Sequence, residues 1–378
     1  MCGIVGSVSK RPVIKFLIDG LKKLEYRGYD SAGVAVIEAP NALQRLRVVG
    51  KVRELEQALQ DHPLNGHTGI AHTRWATHGA PSEKNAHPFI SHDEFALVHN
   101  GIIENHADLR EKLSAAGYQF TSETDTEVVV HLIHQHYKEN KDLLAAVRSA
   151  VSQLEGAYAL GVISKHYPER LVAVRQGSPL VIGCGQGENF IASDPLALLT
   201  QTKQFIYLED DDIADISLNE VTIYNLDQLV ERAPQLLSIS LDSVERGEYR
   251  HYMKKEIMEQ PESIAACLEG RIKQDHIFPA IFGPDADGIF SKVEHITLIA
   301  CGTSYHAAQV ARYWFEALTH IPCSVEVASE FRYREVAAPK NSLFVTLSQS
   351  GETADTLAAL RLAKKGNYLS TLAICNVP

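Results

Sequence analysis

Cysteine is scarce in this sequence and widely spread. Six occur, Cys2, Cys184, Cys267, Cys301, Cys323 and Cys375, with no Cys-x-x-Cys pair, which excludes a zinc ribbon and a disulfide framework and points to a reducing compartment. Long apolar runs are missing too. No stretch approaches the roughly 18 residues that a membrane span needs, and the amino terminus carries no signal-peptide-like segment. Positive charge is short: 36 Lys and Arg against 47 Asp and Glu leave a net charge of −11, with no concentrated basic face, so a general nucleic-acid binder is excluded. Together these absences predict a cytoplasmic protein with no membrane or nucleic-acid partner.

What is present describes a globular chain. Hydrophobic residues make up 45% and charged residues 22%, and 24 Gly and 15 Pro are spread along the chain rather than repeated. At 378 residues the chain suits two domains, or one large domain and part of another. The small acidic run Glu209 to Asp215 reads as a solvated turn rather than a metal site.

Hydrophobic periodicity organises the chain into two textures. A short apolar strand (2–8) and an amphipathic helix (13–24) precede strand-like runs at 33–37, 46–49, 69–72, 95–98, 157–163, 171–174, 180–182, 205–208 and 221–224, interrupted by helical patterns at 106–116, 126–138 and 142–154. That grouping predicts an α+β domain with a largely antiparallel sheet pair over 2–240. A polar connector covers 241–290, with a helix over 251–260 stopped by Pro261 and a further helix to about Lys273. Over 291–378 the order strand, polar loop, helix recurs twice, followed by a strand at 369–374. This alternation predicts a parallel α/β sheet with ligands at the strand carboxyl ends, incomplete at its carboxyl edge.

The amino-terminal chemistry begins with Cys2 directly after Met1. Loss of Met1 would leave a free α-amine on the residue that carries the thiol, so that nucleophile and base share one residue. Such an amine titrates near 7.7–8.0, and a useful fraction is unprotonated at neutral pH. Thioester formation at an amide creates an oxyanion; Asn100 and the backbone N–H of Gly101 could supply two donors to it, although Asn-Gly is also an ordinary turn pair.

Five segments occur in order: Met-Cys-Gly-Ile-Val-Gly at 1–6, Tyr-Arg-Gly-Tyr-Asp-Ser-Ala-Gly at 26–33, His-Thr-Arg-Trp-Ala-Thr-His-Gly at 72–79, His-Asn-Gly-Ile-Ile-Glu-Asn at 99–105 and Ser-Glu-Thr-Asp-Thr-Glu at 122–127. Together they resemble the glutaminase domain of class II, N-terminal-nucleophile amidotransferases, and most closely the glutamine–fructose-6-phosphate aminotransferase family. The resemblance implies an αββα sandwich, Cys2 as nucleophile, and Asn100 with Gly101 as oxyanion hole. A free amino acid must be held by both charged ends. By resemblance Arg74 grips the glutamine α-carboxylate and Asp125 receives its α-ammonium, while Thr77 and His78 line the same pocket. Trp75 resembles the family tryptophan that gates ammonia passage, and Arg27 either steadies the thiol or anchors its loop.

Cys301-Gly-Thr-Ser304 and Ser348-Gln-Ser-Gly-Glu-Thr353 each end an expected strand and open a helix, so hydroxyls and backbone N–H groups converge where a helix amino terminus favours an anion. This pattern is neither a Walker loop nor a dinucleotide fingerprint. Both loops resemble the sugar isomerase (SIS) fold of the same family, which implies a sugar-phosphate site at Ser304, Ser348, Gln349, Ser350 and Thr353, with fructose 6-phosphate and glutamine as substrates, no metal or organic cofactor, and homodimers formed through the second domain. The family continues well past the equivalent of Pro378, into a second SIS half with the isomerisation groups, so the glutaminase half is the part expected to be complete. Two alternatives remain beside this reading. One is another class II amidotransferase, such as an asparagine synthetase or a phosphoribosyl-pyrophosphate amidotransferase, whose second domain would not carry the Ser-Gln-Ser-Gly-Glu-Thr loop. The other is a non-catalytic phosphosugar sensor with a degenerate amidase.

Overall fold

The structure is a computed structural model of the chain. It describes all residues except 1, 26–27, 76–78, 238–248, 250, 269–271, 274–275, 278, 284, 352 and 376–378, and leaves out the side chains of 252, 266, 272–273, 276 and 280–281. Contacts divide the chain into two compact units, Met1–Glu245 and Arg246–Pro378.

The first unit is built on two antiparallel sheets. One runs, in spatial order, β15 (Gln235–Leu236), β11 (Gln204–Tyr207), β9 (Val181–Cys184), β10 (Glu188–Ala192), β1 (Gly3–Ser9), β4 (Gly66–Arg74), β2 (Ser31–Glu38) and β3 (Ala42–Val49). The other runs β14 (Gln228–Val230), β13 (Val221–Asn225), β12 (Asp212–Ser217), β8 (Tyr167–Gln176), β7 (Gly156–Ser164), β6 (Phe95–Ile103) and β5 (Phe89–Ser91). Helices α1 (Ile14–Lys23) and α2 (Val52–Asp61) cover the first sheet, and α3 (His106–Ala115), α4 (Glu127–Asn140) and α5 (Leu143–Val151) cover the second.

Strand alternation produces these four layers, because successive side chains point to opposite faces. On β2, Val34 and Val36 pack under α1 and α2, whereas Ala35 and Ile37 face the other sheet. On β6, Phe95 and Leu97 pack under α4, and Ala96 and Val98 face inward. Both faces of the strands are therefore buried, which is why these strands read as apolar runs. Small residues let the sheets approach closely: a Cβ on Gly161 would come within 2.9 Å of Ile191 Cδ1, which reaches across from the first sheet. This is the αββα sandwich that the resemblance implied.

The second unit carries a parallel sheet in the order β19 (Cys323–Val327), β18 (His295–Ala300), β20 (Ser342–Ser348), β21 (Ser370–Cys375). Ahead of it lie α6 (Tyr252–Leu268), a short hairpin of β16 (Ile272–Lys273) and β17 (His276–Ile277), and α7 (Ala286–Phe290). One face of the sheet packs Ile296, Leu298, Leu343 and Val345 against α8 (Gly302–Thr319). The opposite face packs Ile299 and Phe344 against α9 (Ala328–Phe331) and α10 (Ala354–Lys365). Helices on both faces of a parallel sheet are the α/β arrangement expected from the alternation of elements.

Three local expectations are corrected. Glu209 to Asp215 is not simply a solvated turn: Asp212 opens β12 and is fully buried. Its carboxylate is satisfied by Arg232 at 2.9 and 3.0 Å, Asn225 Nδ2 at 2.8 Å and the Glu209 N–H at 2.7 Å. Pro261 does not stop a helix, because α6 continues through it; a proline forfeits one N–H bond and crowds the preceding turn, costing ~3 kcal/mol without forbidding the element. The helix ends at Leu268 rather than near Lys273, which lies in β16. Helix α2 was unforeseen: its exposed face is charged and only Val52 and Leu55 are buried, a weak apolar stripe.

Candidate functional site

The site lies where the two sheets of the first unit meet at the start of β1. Strand β1 runs antiparallel to β4 with Gly3 opposite Thr73, so Cys2 falls beside the end of β4. There the Trp75 backbone N–H donates to Cys2 Sγ at 3.2 Å. Cys2 is half-buried, and burial pushes its thiol above the ordinary range, opposed by the Trp75 N–H and the positive charge of Arg74. The thiol thus rests protonated at neutral pH and needs a base to become a nucleophile. The Trp75 ring is 53% exposed. Gly28 faces it with a left-handed φ of 73°, and a Cβ there would lie 2.9 Å from the indole.

Asn100 and Gly101 come from β6 in the opposite sheet. Asn100 is buried, and its Nδ2 donates to the Cys2 carbonyl at 3.3 Å, tying the sheets together at the site. Gly101 has φ 124°, and a Cβ there would stand 2.0 Å from the Ala157 carbonyl, so only glycine fits.

Arg74 and Asp125 are both buried. Arg74 Nη2 donates to the Gly79 carbonyl at 3.3 Å, and Nη1 stands 3.9 Å from Asp30 Oδ1. Asp125 accepts the Ile103 N–H at 2.8 Å, which fixes its loop to the same strand that bears Asn100. That loop is anchored again by Glu127. Its carboxylate accepts the N–H groups and hydroxyls of Thr121 and Ser122 at 2.7–3.1 Å. Burial works to raise this carboxyl, but the hydrogen bonds outweigh it and hold it below the ordinary range. Thr77, His78 and Arg27 lie outside the described residues.

Sequence reasoning missed a column of three buried histidines behind Asn100. His72 Nε2 lies 2.9 Å from Asn100 Oδ1. The His87 ring stacks on His72 at 4.1 Å and 12°, and His87 Nδ1 accepts the His99 N–H at 3.2 Å. His99 Nδ1 lies 2.9 Å from Thr126 Oγ1. Burial takes His72 down to about 3 and His87 well below its ordinary value, so both stay neutral at working pH. The signal was available: His72 and His99 open two of the five segments singled out in the sequence, and Thr126 follows Asp125.

In the second unit the two polar loops come together at the carboxyl ends of β18 and β20. Helix α8 leads from β18 to β19 on one side, and β20 lies on the other, so strand order reverses between β18 and β20. A crevice at such a reversal is where open parallel sheets bind ligands. Ser304 sits in the first turn of α8, and Thr353 is the N-cap of α10. Ser348 Oγ accepts the Gly351 N–H at 3.1 Å and lies 3.4 Å from Thr353 Oγ1, which bends the loop holding Gln349 and Ser350. Neither Cys301 nor Thr353 caps its own helix through a side-chain hydrogen bond, a geometry suited to an anion. Among the described residues no His, Cys, Asp or Glu group is arranged to hold a metal ion, and no helix is long and apolar enough to cross a membrane.

Residues 72–200 match the glutamine amidotransferase domain, and residues 289–378 match the SIS domain. The chain is 59% identical over 378 residues to the glutamine–fructose-6-phosphate aminotransferase (isomerizing) of Idiomarina loihiensis, covering 100% of this chain and 62% of that protein. It is 58% identical over 378 residues to the protein of that name from Pseudomonas syringae pv. tomato, again covering 100% and 62%. The chain thus spans less than two thirds of the length of these curated relatives. Among solved structures, the glutamine phosphoribosylpyrophosphate amidotransferase of B. subtilis in complex with ADP and GMP aligns over 91% of this chain and 75% of its own, with a TM-score of 0.54 and 18% identity. That likeness is one of fold.

Proposed function

The chain belongs to the glutamine–fructose-6-phosphate aminotransferase family, and from that premise we propose that its first unit hydrolyses glutamine and that the ammonia released serves amination of fructose 6-phosphate to glucosamine 6-phosphate. Residues 2–240 form the glutaminase, 241–290 a connector, and 291–378 the sugar-phosphate domain.

Loss of Met1 frees the α-amine of Cys2, which takes the thiol proton. Sγ attacks the glutamine side-chain carbonyl carbon, and the carbonyl π electrons move onto oxygen. Asn100 Nδ2 and the Gly101 N–H hold that oxyanion; one such donor contributes about 2.7–4 kcal/mol to barrier lowering. The oxyanion collapses, the C–N bond breaks, and the leaving nitrogen takes the proton back from the α-ammonium to depart as ammonia. Water then hydrolyses the γ-glutamyl thioester to glutamate and regenerates the thiol. Arg74 pairs with the substrate α-carboxylate, Asp125 with its α-ammonium, and Thr77 and His78 line the pocket. Trp75, whose ring lies half in solvent, gates ammonia, and Arg27 either steadies the thiol or anchors its loop.

Ser304, Ser348, Gln349, Ser350 and Thr353 take the sugar phosphate. Likeness to the family extends the proposal to a cytoplasmic homodimer joined through the second domain. The observation that carries the reading is the convergence at Cys2: the Trp75 N–H at 3.2 Å from Sγ and the Asn100 amide at 3.3 Å from the same residue's carbonyl.

The test is glutamate and ammonia release by the Met1-processed chain, with and without fructose 6-phosphate, beside Cys2→Ala. Release that vanishes in Cys2→Ala is expected. Equal release by both proteins would refute the assignment of the nucleophile.

A further inference from the structure

An oxyanion donor is useful only if it presents nitrogen. The side-chain amide of Asn100 is nearly symmetric in shape, and rotation by half a turn would aim its carbonyl oxygen at the developing negative charge. Something has to choose between the two orientations, and the Cys2 carbonyl alone, at 3.3 Å from Nδ2, is a long and weak restraint.

We propose that His72 is the positioning residue that sets the Asn100 amide, donating from Nε2 to Asn100 Oδ1 and so turning Nδ2 toward Cys2. This inference rests on the glutaminase reading of the site. The two atoms stand 2.9 Å apart inside the protein, with His72 1% and Asn100 7% exposed, so no water competes for the bond. Because Nδ2 faces a carbonyl, Oδ1 faces His72, and the ring must carry its proton on Nε2. An imidazole with the proton on Nδ1 would set a lone pair against Oδ1 and favour the flipped amide.

The ring itself is held in place. His72 projects from β4, whose neighbours on both sides are β1 and β2, so its backbone is fixed by the centre of the sheet. His87 stacks flat on one face, and His87 is in turn tied to β6 through the His99 N–H and to Thr126 Oγ1, 3.4 Å from its Nε2. The column therefore joins the loop of Asp125, which reads one end of the substrate, to the donor that stabilises its reacting carbonyl. His72 touches neither substrate nor thiol in this account; it acts through Asn100.

The experiment compares His72→Gln, which restores a donor near the Nε2 position, with His72→Phe, which keeps the stacking and removes the donor. Both are also made with Asn100→Ala. Steady-state glutamine hydrolysis is measured in the Met1-processed chain, and 15N NMR of the His72 ring reports its tautomer. Expected are a fall in kcat of at least tenfold for His72→Phe with KM for glutamine little changed, recovery of most of that loss in His72→Gln, and no further loss when His72→Phe is added to Asn100→Ala. The ring should show Nε2 as its protonated nitrogen.

An unchanged kcat in His72→Phe would overturn the proposal, as would an equal fall in the Asn100→Ala background or a ring protonated on Nδ1. The two readings fail separately. Glutamate release indifferent to Cys2→Ala would remove the glutaminase reading, while the ring tautomer would still decide whether His72 orients Asn100.

Discussion

Replacing Glu127 by Gln tests how the Asp125 loop is built. The carboxylate takes five hydrogen bonds. Oε1 accepts the Thr121 N–H at 2.9 Å and the Thr121 hydroxyl at 2.8 Å, while Oε2 accepts from Ser122 N and Oγ, both at 2.7 Å, with Thr121 N at 3.1 Å. Glutamine can keep one oxygen against Ser122. Its amide nitrogen then faces the Thr121 N–H, donor against donor, and at least two charge-assisted bonds are lost. Bonds to a charged group contribute ~1.5–3 kcal/mol each, so a loss of about 3–6 kcal/mol is expected. For a unit of this size that corresponds to a fall in Tm of roughly 6–24 °C. The folded-state carboxyl is held below its ordinary value. Its stabilisation is therefore fully present above the unfolded value near 4.3 and is lost as pH falls through the folded value. Circular-dichroism melts of parent and Glu127→Gln should differ most at neutral pH, and the gap should narrow progressively as pH falls below about 4.3. The KM for glutamine should rise as the Asp125 loop loosens. A Tm within 2 °C of the parent at pH 7, or a gap that does not narrow in acid, would refute the reasoning.

Other perturbations separate fold from site. Gly101→Ala should abolish glutaminase activity and leave little folded protein, because its Cβ would sit 2.0 Å from the Ala157 carbonyl at a φ of 124°; soluble, active protein would show that the β6 backbone can shift. Asp212→Asn should lower stability by about 1.5–3 kcal/mol by removing the charge-assisted bonds from Arg232, whose remaining carboxylate partner is Glu209 at 3.0 Å, read as an earlier urea midpoint with unchanged glutamine KM. His134, driven to about 4 by burial and by His92 stacked on it at 4.0 Å, resists protonation in the fold. Because its folded value lies below the unfolded one, its stability term is whole above about pH 6.5 and declines toward pH 4, by up to ~1.4 kcal/mol per pH unit. Replacement by Phe should flatten that decline in Tm, and an identical pH profile would contradict it.

Much of the candidate site could be proposed from the sequence because its chemistry is written in short segments whose order survives in the linear chain. Cys2, Asn100, Gly101, Arg74 and Asp125 could each be assigned a chemical task from residue type and resemblance, before any distance was known. The strands were legible for a different reason: burial on both faces turns β1, β2, β6 and β7 into apolar runs that few other structures produce. Less could be read where the reason for a residue lies far along the chain. Asp212 looks like a solvated acid until Arg232 and Asn225 are brought to it by the β12–β13–β14 meander. His72, His87 and His99 look like three unrelated polar residues, since only the packing of β4 against β6 stacks them behind Asn100.

The sequence by itself determined which groups are available, namely a cysteine next to the first methionine, an Asn-Gly pair ending an apolar strand, and two Ser/Thr-rich loops opening helices. It determined the grouping of strands and helices into an α+β part and a strand–loop–helix part as well, because alternation and helical period are local properties. The tertiary structure decided which of those groups meet. Antiparallel pairing of β1 with β4 delivers the Trp75 N–H to the thiol, close packing of two sheets across small residues carries Asn100 to the Cys2 carbonyl, and strand order in the parallel sheet draws two separate loops to one crevice. Such contacts depend on register and sheet order, which arise from the sum of many weak burials along the whole chain and leave no mark at any single position.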